Sequence, residues 1–272
     1  VAQILDFLRK KSHDGLIDLI AQEETAQTFG VSFSRVERIA LENDLLPTRY
    51  QRNCQLISCC QQLQLFSSVV AVVGCGGLGG YIIEELARLG VGHLLAIDPD
   101  IFEESNLNRQ ILSSISTIGR VKVVVAAERV AQINPAVTLS PIAEAFALDT
   151  GKRLLDGAHL VVDGLDSIPT RLELAAVCRE AEIPLIHGAV AGWYGQITTQ
   201  FPGDGTLESL YSGEVRSRGI EKELGNPSFT PAVVASLEVA EVCKVLLNQG
   251  KLLRGRQLCI NLLDMEIEEI PF

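Results

Sequence analysis

The chain has 272 residues, 47% of them hydrophobic, and a formal net charge of −11 at pH 7. That length holds one large α/β domain with a small appendage; the apolar content excludes a disordered chain, and the acidic balance excludes non-specific nucleic-acid binding as the main activity, so no DNA partner is expected. Seven cysteines, an odd number, do not form a secreted disulfide framework, no apolar run is long enough to span a bilayer and nothing reads as a signal peptide, so a cytoplasmic protein without a membrane partner is expected.

Residues 1–48 read as a small helical N-terminal segment. Ile4, Leu5 and Leu8, then Leu16, Ile17, Leu19 and Ile20, mark one or two amphipathic helices. Thr25 to Leu46 reads as helix, turn at Gly30, helix, with Ser32 or Ser34 as N-cap. The layout is faintly that of a helix-turn-helix, but five Lys/Arg against eight Asp/Glu is the wrong sign for DNA. A packing or partner-docking module is the better reading.

Pro47 breaks that pattern, and a second unit, 49–272, begins. Arg49-Tyr50-Gln51-Arg52 leads into a helix from Gln55 to Phe66. Val69 to Asp100 then reads as strand, glycine turn, helix, strand, acid. The run Gly74-Cys75-Gly76-Gly77-Leu78-Gly79 sits between two apolar runs, Val69 to Val73 and Leu94 to Ile97, and the second ends at Asp98-Pro99-Asp100. Glycines allow close backbone approach, and a helix N-terminus offers unpaired N–H groups to an anion. The motif says nucleotide; alone it suggests a dinucleotide-dependent oxidoreductase.

Downstream, Glu103 to Gln110 reads as a polar loop. Gly119-Arg120-Val121-Lys122 opens a helix that stops at Asn134-Pro135. Val137 to Pro141 and Leu160 to Asp163 are predicted strands, Leu148 to Leu155 and Thr170 to Glu180 predicted helices, and Pro184 to Ala189 and Gln196 to Thr199 predicted strands. The alternation predicts a doubly wound, mainly parallel, Rossmann-like α/β sheet with ligands outside its carboxyl ends. Pro202 to Pro227 reads as a long mobile loop. Thr230-Pro231 starts a helix to Leu247, and two C-terminal strands, Leu258 to Leu262 and Glu266 to Ile270, close the chain.

Asn106, Arg109, Lys122 and Asp166 all fall at loop or element ends. Cations and amides suit phosphate oxygens, and a strand-end carboxylate suits Mg²⁺. Taken singly, Arg109 also reads as a surface salt-bridge residue, and Asp166 or Ser167 as the cap of the next helix. Lys122 in a helix first turn opposes the dipole, which an anionic ligand would explain.

Together the runs Gly74 to Gly79, Asp98-Pro99-Asp100, Ser105-Asn106-Leu107-Asn108-Arg109-Gln110, Gly119-Arg120-Val121-Lys122, Asn134-Pro135 and Asp163-Gly164-Leu165-Asp166-Ser167 resemble the MoeB/ThiF/HesA family in order and spacing. The resemblance covers about Arg49 to Phe272. It implies an adenylyltransferase that uses ATP and Mg²⁺ to adenylate the C-terminal glycine of a small ubiquitin-like sulfur-carrier protein or similar peptide. It places Gly74, Gly76, Gly77 and Gly79 in the nucleotide turn, with Gly77 at the phosphates. Asp98 holds the ribose; Ser105, Asn106, Asn108, Arg109 and Lys122 border or contact the triphosphate; Asp166 binds Mg²⁺ and Ser167 lies near the adenine. Arg52 matches an arginine supplied by the partner subunit of a homodimer, and also reads as an ordinary surface cation.

The chain departs from many relatives in lacking two C-x-x-C pairs, so no zinc site is expected, and residues 203–229 hold no cysteine for a covalent carrier linkage. Cys75 and Cys178 read as packing residues, and Cys59-Cys60 as part of a buried helical face. His187 reads as a structural hydrogen-bonding group, and Trp193 and Tyr194 as possible walls for the carrier's tail. The alternatives are ATP-dependent activation of a modified tRNA base, a nucleotide-binding module without turnover and, distantly, a dehydrogenase.

Overall fold

The apolar runs become the centre of one eight-stranded sheet in a computed structural model of the chain, which describes residues 1–212 and 224–272. Its strands are β3 (Val69–Val73), β4 (His93–Ile97), β5 (Thr138–Ile142), β6 (Leu160–Asp163), β7 (Leu185–Ala191), β8 (Tyr194–Gln200), β9 (Arg256–Asn261) and β10 (Glu266–Pro271), in the order β10-β9-β8-β7-β6-β3-β4-β5. From β7 through β5 every pairing is parallel; β7 with β8, β8 with β9 and β9 with β10 are antiparallel. The expected doubly wound, mainly parallel sheet with C-terminal strands is what forms. From β3 the chain winds outward through β4 and β5, then returns to place β6 on the other side of β3. That reversal opens a crevice at the carboxyl ends of β3 and β6.

β3 and β6 are buried on both faces, which is why they read as unbroken apolar runs. One face packs under α4 (Cys59–Phe66), α5 (Gly77–Leu89), α6 (Lys122–Ile133) and the long α10 (Phe229–Leu247). The other packs under α7 (Leu148–Leu154) and α8 (Ile168–Glu180), with Leu207 of the short α9 (Thr206–Leu210) completing the cluster.

The N-terminal segment folds as α1 (Ala2–Lys11), α2 (Leu19–Phe29) and α3 (Phe33–Leu41), with a two-residue parallel pair, β1 (Leu16–Ile17) and β2 (Leu46–Pro47). Gly30 ends α2 in the left-handed conformation, and the Ser32 hydroxyl caps α3 by accepting from Arg35 N. This segment is keyed into the second unit. Buried Glu37 pairs with Arg49 and accepts from the Tyr50 hydroxyl at 2.7 Å, while Asn134 donates to that same hydroxyl at 2.7 Å.

Four expectations need correction. Leu16 and Ile17, expected on an amphipathic helix, form the strand β1 instead, paired with Leu46 and Pro47. The helix expected from Gln55 starts only at Cys59, because Ser58 and Gln61 form a capping box there. The loop expected over 202–227 contains α9, and its residues 213–223 lie outside the described residues. Cys59 is half-buried and Cys60 exposed, so the pair does not form a buried face.

Candidate active site

A cleft of about 580 Å³ opens at the crevice between β3 and β6. Its floor is the glycine turn, and the turn's glycines divide into two kinds. A Cβ on Gly79 would lie 1.8 Å from Gly74 O, and one on Gly74 would lie 2.6 Å from Gly164 O. Gly79 has no room because the turn folds back onto Gly74, and Gly74 has none because the turn interlocks with the loop after β6. At Gly76 and Gly77 the nearest atoms to an added Cβ are side chains, Gln110 at 3.6 Å and Pro231 at 3.5 Å. Gly76 and Gly77 line the cleft, with Gly77 as the first residue of α5; Gly79 lies beneath it.

Asp98, at the end of β4, is 5% exposed. One carboxylate oxygen accepts from Cys75 N at 2.7 Å and the other from Asp100 N at 2.8 Å. It thus ties the glycine turn to the loop after β4, and it still lines the cleft. The loop is anchored by Phe102, fully buried, and by Lys122 N donating to Asp100 O at 2.9 Å. These bonds bring the start of α6 to the cleft wall. There the Lys122 ammonium, 6% exposed, donates to an Asp100 oxygen at 2.9 Å and lies 3.9 Å from Asp98. Two carboxylates therefore offset the unfavourable dipole that the sequence position implied.

Arg109 reaches the cleft from the opposite wall. Its guanidinium donates to Ser105 O at 3.1 Å and to Asn108 Oδ1 at 2.9 Å. Asn108 also lines the cleft and donates to Asn226 O at 3.1 Å. Ser105 and Asn106 do not line it. The buried Asn106 side chain accepts from Glu103 N at 2.9 Å, which shapes the loop that presents Arg109.

Asp166 is exposed, lines the cleft, and its carboxylate has no hydrogen-bond or ion-pair partner among the described residues. Ser167 holds the N-cap position of α8, yet neither it nor Asp166 makes a side-chain cap bond. The capping explanation for both is removed, and an exposed carboxylate lining the cleft is a group able to hold a divalent cation. Arg52 is exposed and does not line the cleft of its own chain.

The model of the ThiF family matches residues 50–272. The chain belongs to that family. It is 37% identical to the SAMP-activating enzyme E1 of Haloferax volcanii over 214 residues, 78% of this chain and 79% of that one. It is 34% identical to the molybdopterin-synthase adenylyltransferase of Salmonella typhimurium over 206 residues, 74% and 82% of the two chains. The crystal structure of E. coli MccB with AMPCPP and MccA matches at a TM-score of 0.68 and 21% identity, covering 92% of this chain and 82% of that one, which shows the shared fold. As a ThiF-family chain with adenylyltransferase relatives of this closeness, it is an enzyme of the adenylyltransferase class.

The ThiF-type cleft also contains residues that sequence reasoning passed over. Arg171 lines it, donates to Leu165 O at 2.6 Å and to the Tyr211 hydroxyl at 3.3 Å, and lies 3.6 Å from Asp163. Asp163 in turn accepts from Leu165 N at 2.9 Å. Leu165, the residue before Asp166, is thus clamped at both its N–H and its C=O. Arg171 is the fourth residue of α8, so the signal that marked Lys122, a cation in a helix first turn, was present for it too.

Beneath the clamp lies a fully buried polar cluster. His187 Nδ1 shares a hydrogen bond with Asp163 at 2.7 Å, and its Nε2 another with the Tyr211 hydroxyl at 3.0 Å, as a structural histidine should. Burial holds its pKa below the ordinary value despite Asp163. Glu238, on α10, is fully buried with neither carboxyl oxygen hydrogen-bonded among the described residues, and burial pushes its pKa well above the usual carboxylate range. Cys75 and Cys178 are buried packing residues, as expected. Tyr194 lines a second groove, whereas Trp193 instead meets Phe229, with ring centroids 4.6 Å apart.

Proposed function

We propose that the chain adenylates the C-terminal carboxylate of a small ubiquitin-like sulfur-carrier protein, with ATP as co-substrate and release of pyrophosphate. The observation that carries this reading is the convergence, in one cleft, of a glycine-walled helix N-terminus, Arg109, Lys122 and the unpartnered Asp166 carboxylate. The carrier class follows the names of the relatives, two of which activate SAMP or serve molybdopterin synthase.

The reaction needs no general base, because a peptide carboxylate is already ionised at neutral pH. It attacks the α-phosphorus, the bond to the β,γ-pyrophosphate breaks, and an acyl-adenylate forms. The obstacle is one anion approaching another. Arg109 and Lys122 supply fixed positive charge beside the phosphates, and the open backbone at Gly76 and Gly77 lets the α5 N-terminus approach them. Asp98 offers its remaining lone pairs to the ribose, and Ser167 lies toward the base. Asn108 steadies Arg109; Ser105 and Asn106 shape the loop that carries both. Asp166 would hold Mg²⁺, which supplies charge neutralisation at the phosphates when bound. Asp163 and Arg171 keep the Asp166 loop in place.

The chain acts as a homodimer in this reading, with Arg52 entering the partner's cleft. Its exposed position away from its own cleft supports that role, as do the exposed apolar side chains of Ile101, Leu107, Ile111, Ile115 and Ile118 on the segment around Arg109. No described helix is long and apolar enough to cross a membrane.

Pyrophosphate–ATP exchange tests the proposal. Exchange should depend on a carrier ending in Gly-Gly and fall by about a thousandfold in Asp166→Asn. Turnover of ATP stimulated by tRNA, with no carrier-dependent exchange, would replace it with activation of a modified tRNA base.

A further inference from the structure

The run Arg49-Tyr50-Gln51-Arg52 holds two arginines with opposite fates. Both lie in one 3-10 turn, Thr48–Asn53. Arg49 is occupied inside the molecule: its guanidinium pairs with Glu37 of α3, donates to Gln22 Oε1 at 2.7 Å and sits over the Phe33 ring, 5.4 Å from its centroid. Arg52 is exposed and makes no hydrogen bond or ion pair among the described residues. Where the Arg52 side chain goes is therefore set by how the turn is held.

The turn is gripped from two sides. From the N-terminal unit come the β1–β2 pair, which ends at Pro47, and Glu37. Glu37 is fully buried, and a buried carboxylate is costly unless its lone pairs are occupied. It pairs with Arg49, accepts from the Tyr50 hydroxyl at 2.7 Å and accepts from Gln22 Nε2 at 3.3 Å, so the turn supplies two of these three partners. Burial first, and the charge of Glu37 second, raise the Tyr50 pKa, which keeps the hydroxyl a donor.

From the second unit comes buried Asn134, at the end of α6, which donates to the Tyr50 hydroxyl at 2.7 Å and to Ala87 O, in the last turn of α5, at 3.0 Å. α5 and α6 both begin at the cleft, with Gly77 and Lys122. The 12 residues of α6 advance roughly 18 Å. The turn is thus held at the far ends of the two helices that carry its own chain's phosphate site, and Arg52 does not line that cleft.

Resting on the reading of an adenylating homodimer with Arg52 in the partner's cleft, we infer that the N-terminal unit is a positioning device for the neighbouring subunit's phosphate site: Glu37, through Arg49 and Tyr50, fixes the turn from which Arg52 enters that cleft. Glu37 itself touches no substrate. Without its carboxylate, Arg49 keeps only Gln22 as a side-chain acceptor and the Tyr50 hydroxyl loses its own. The turn is then held at β2 and Asn134 alone. A cation displaced by about an ångström from the charge developing on phosphate loses much of its effect. Each subunit's N-terminal unit therefore serves the other subunit's chemistry.

Mixed dimers test this. Two chains with different tags are co-expressed and the mixed species is isolated on both tags; one chain carries Asp166→Asn, so the cleft of the other does the work. Glu37→Gln, which keeps the side chain's shape, is placed on either chain. Pyrophosphate–ATP exchange reads activation, and equilibrium dialysis reads MgATP at the intact cleft. With Glu37→Gln on the Asp166→Asn chain, exchange and affinity should fall about tenfold. With it on the chain whose cleft is intact, both should match the mixed dimer that lacks it. Added to Arg52→Ala, Glu37→Gln should change neither. Arg49→Gln, placed in the same two ways, should give the same pattern and stands in for Glu37→Gln if that variant does not fold. Four results would each overturn the assignment: a loss that stays with the chain carrying Glu37→Gln, equal losses in both arrangements, an additive loss on Arg52→Ala, or a monomer in sedimentation at the assay concentration. No loss from either substitution would do the same. Wild type without exchange, but with the crossed loss of MgATP affinity, would sink adenylation and sustain the positioning role.

Discussion

The two halves of the sheet put their open space in different places. The parallel half, β7 through β5, is covered by helices on both faces, so its accessible groups lie at the strand ends: Gly76 and Gly77 after β3, Asp98 at β4, Asp166 after β6. The antiparallel half, β7 through β10, has α10 on one face and a groove on the other, so its accessible groups are side chains on the face itself. A single sheet thus offers an end-on site suited to a nucleotide and a face-on groove. β7 belongs to both halves, and the buried cluster of Asp163, His187 and Glu238 lies along that seam. The lesson is that strand direction, through the connections it demands, decides whether a sheet can bind at its edge-on crevice or across its surface.

The largest expected effect comes from breaking the interlock that shapes the end-on site. Gly79→Ala places a methyl 1.8 Å from Gly74 O, backbone against backbone, with no side chain to move aside. The variant should lose on the order of 3 kcal/mol or more, or fail to accumulate as folded protein, in urea denaturation. Gly77→Ala meets only ordinary contact with Pro231 at 3.5 Å. It should fold with a Tm close to wild type while ATP binding weakens. Equal stability for the two variants would show that the turn does not separate structural from ligand-facing glycines.

Next in size is the chemistry at that site. Arg109→Ala should lower the exchange rate by about a hundred- to thousandfold. It should barely move Tm, because the guanidinium is exposed and, among the described residues, bonds only to its own loop, at Ser105 O and Asn108. A large loss of Tm would return Arg109 to the role of a structural residue.

The sequence made the end-on site far more legible than the face-on one. Gly74 to Gly79, Asp98, Arg109, Lys122 and Asp166 lie at the ends of elements whose order is visible as apolar runs, and the doubly wound rule collects such ends at one crevice. What stayed hidden depends on partners distant along the chain. That Asp98 would hold Cys75 N, or that Lys122 would sit between Asp98 and Asp100, follows from where the loop after β4 meets α6. Asn106 reads with Asn108 and Arg109 as a phosphate contact, yet its side-chain oxygen accepts from Glu103 N and it does not line the cleft. The second groove draws on four strands between Leu185 and Pro271, and only their pairing register brings Ala189, Gln196, Cys259 and Glu268 into a row. Glu238 sits amid the apolar face of α10, and no local pattern announced that its carboxyl would be buried against Gly188.

That carboxyl gives the smallest prediction and tests the seam itself. Burial first, and the charge of Asp163 second, raise the Glu238 pKa in the fold above its ordinary value near 4.5, while Arg171 opposes the shift. Between that ordinary value and the raised one, the folded chain keeps a proton that the unfolded chain has lost. The fold then binds more protons, so stability falls as pH rises through this window, by at most about 1.4 kcal/mol per pH unit. Glu238→Gln keeps the shape and removes the titration. The variant should match wild type near pH 5 and exceed it by on the order of 1 kcal/mol at pH 8. The depressed His187 works the other way, costing stability as pH falls below about 6.5, but it is present in both proteins and cancels in their difference. Urea denaturation of both proteins from pH 5 to pH 8 reads the gap directly. A gap that does not widen with pH would mean that Glu238 finds a compensating partner at the seam and remains ionised there.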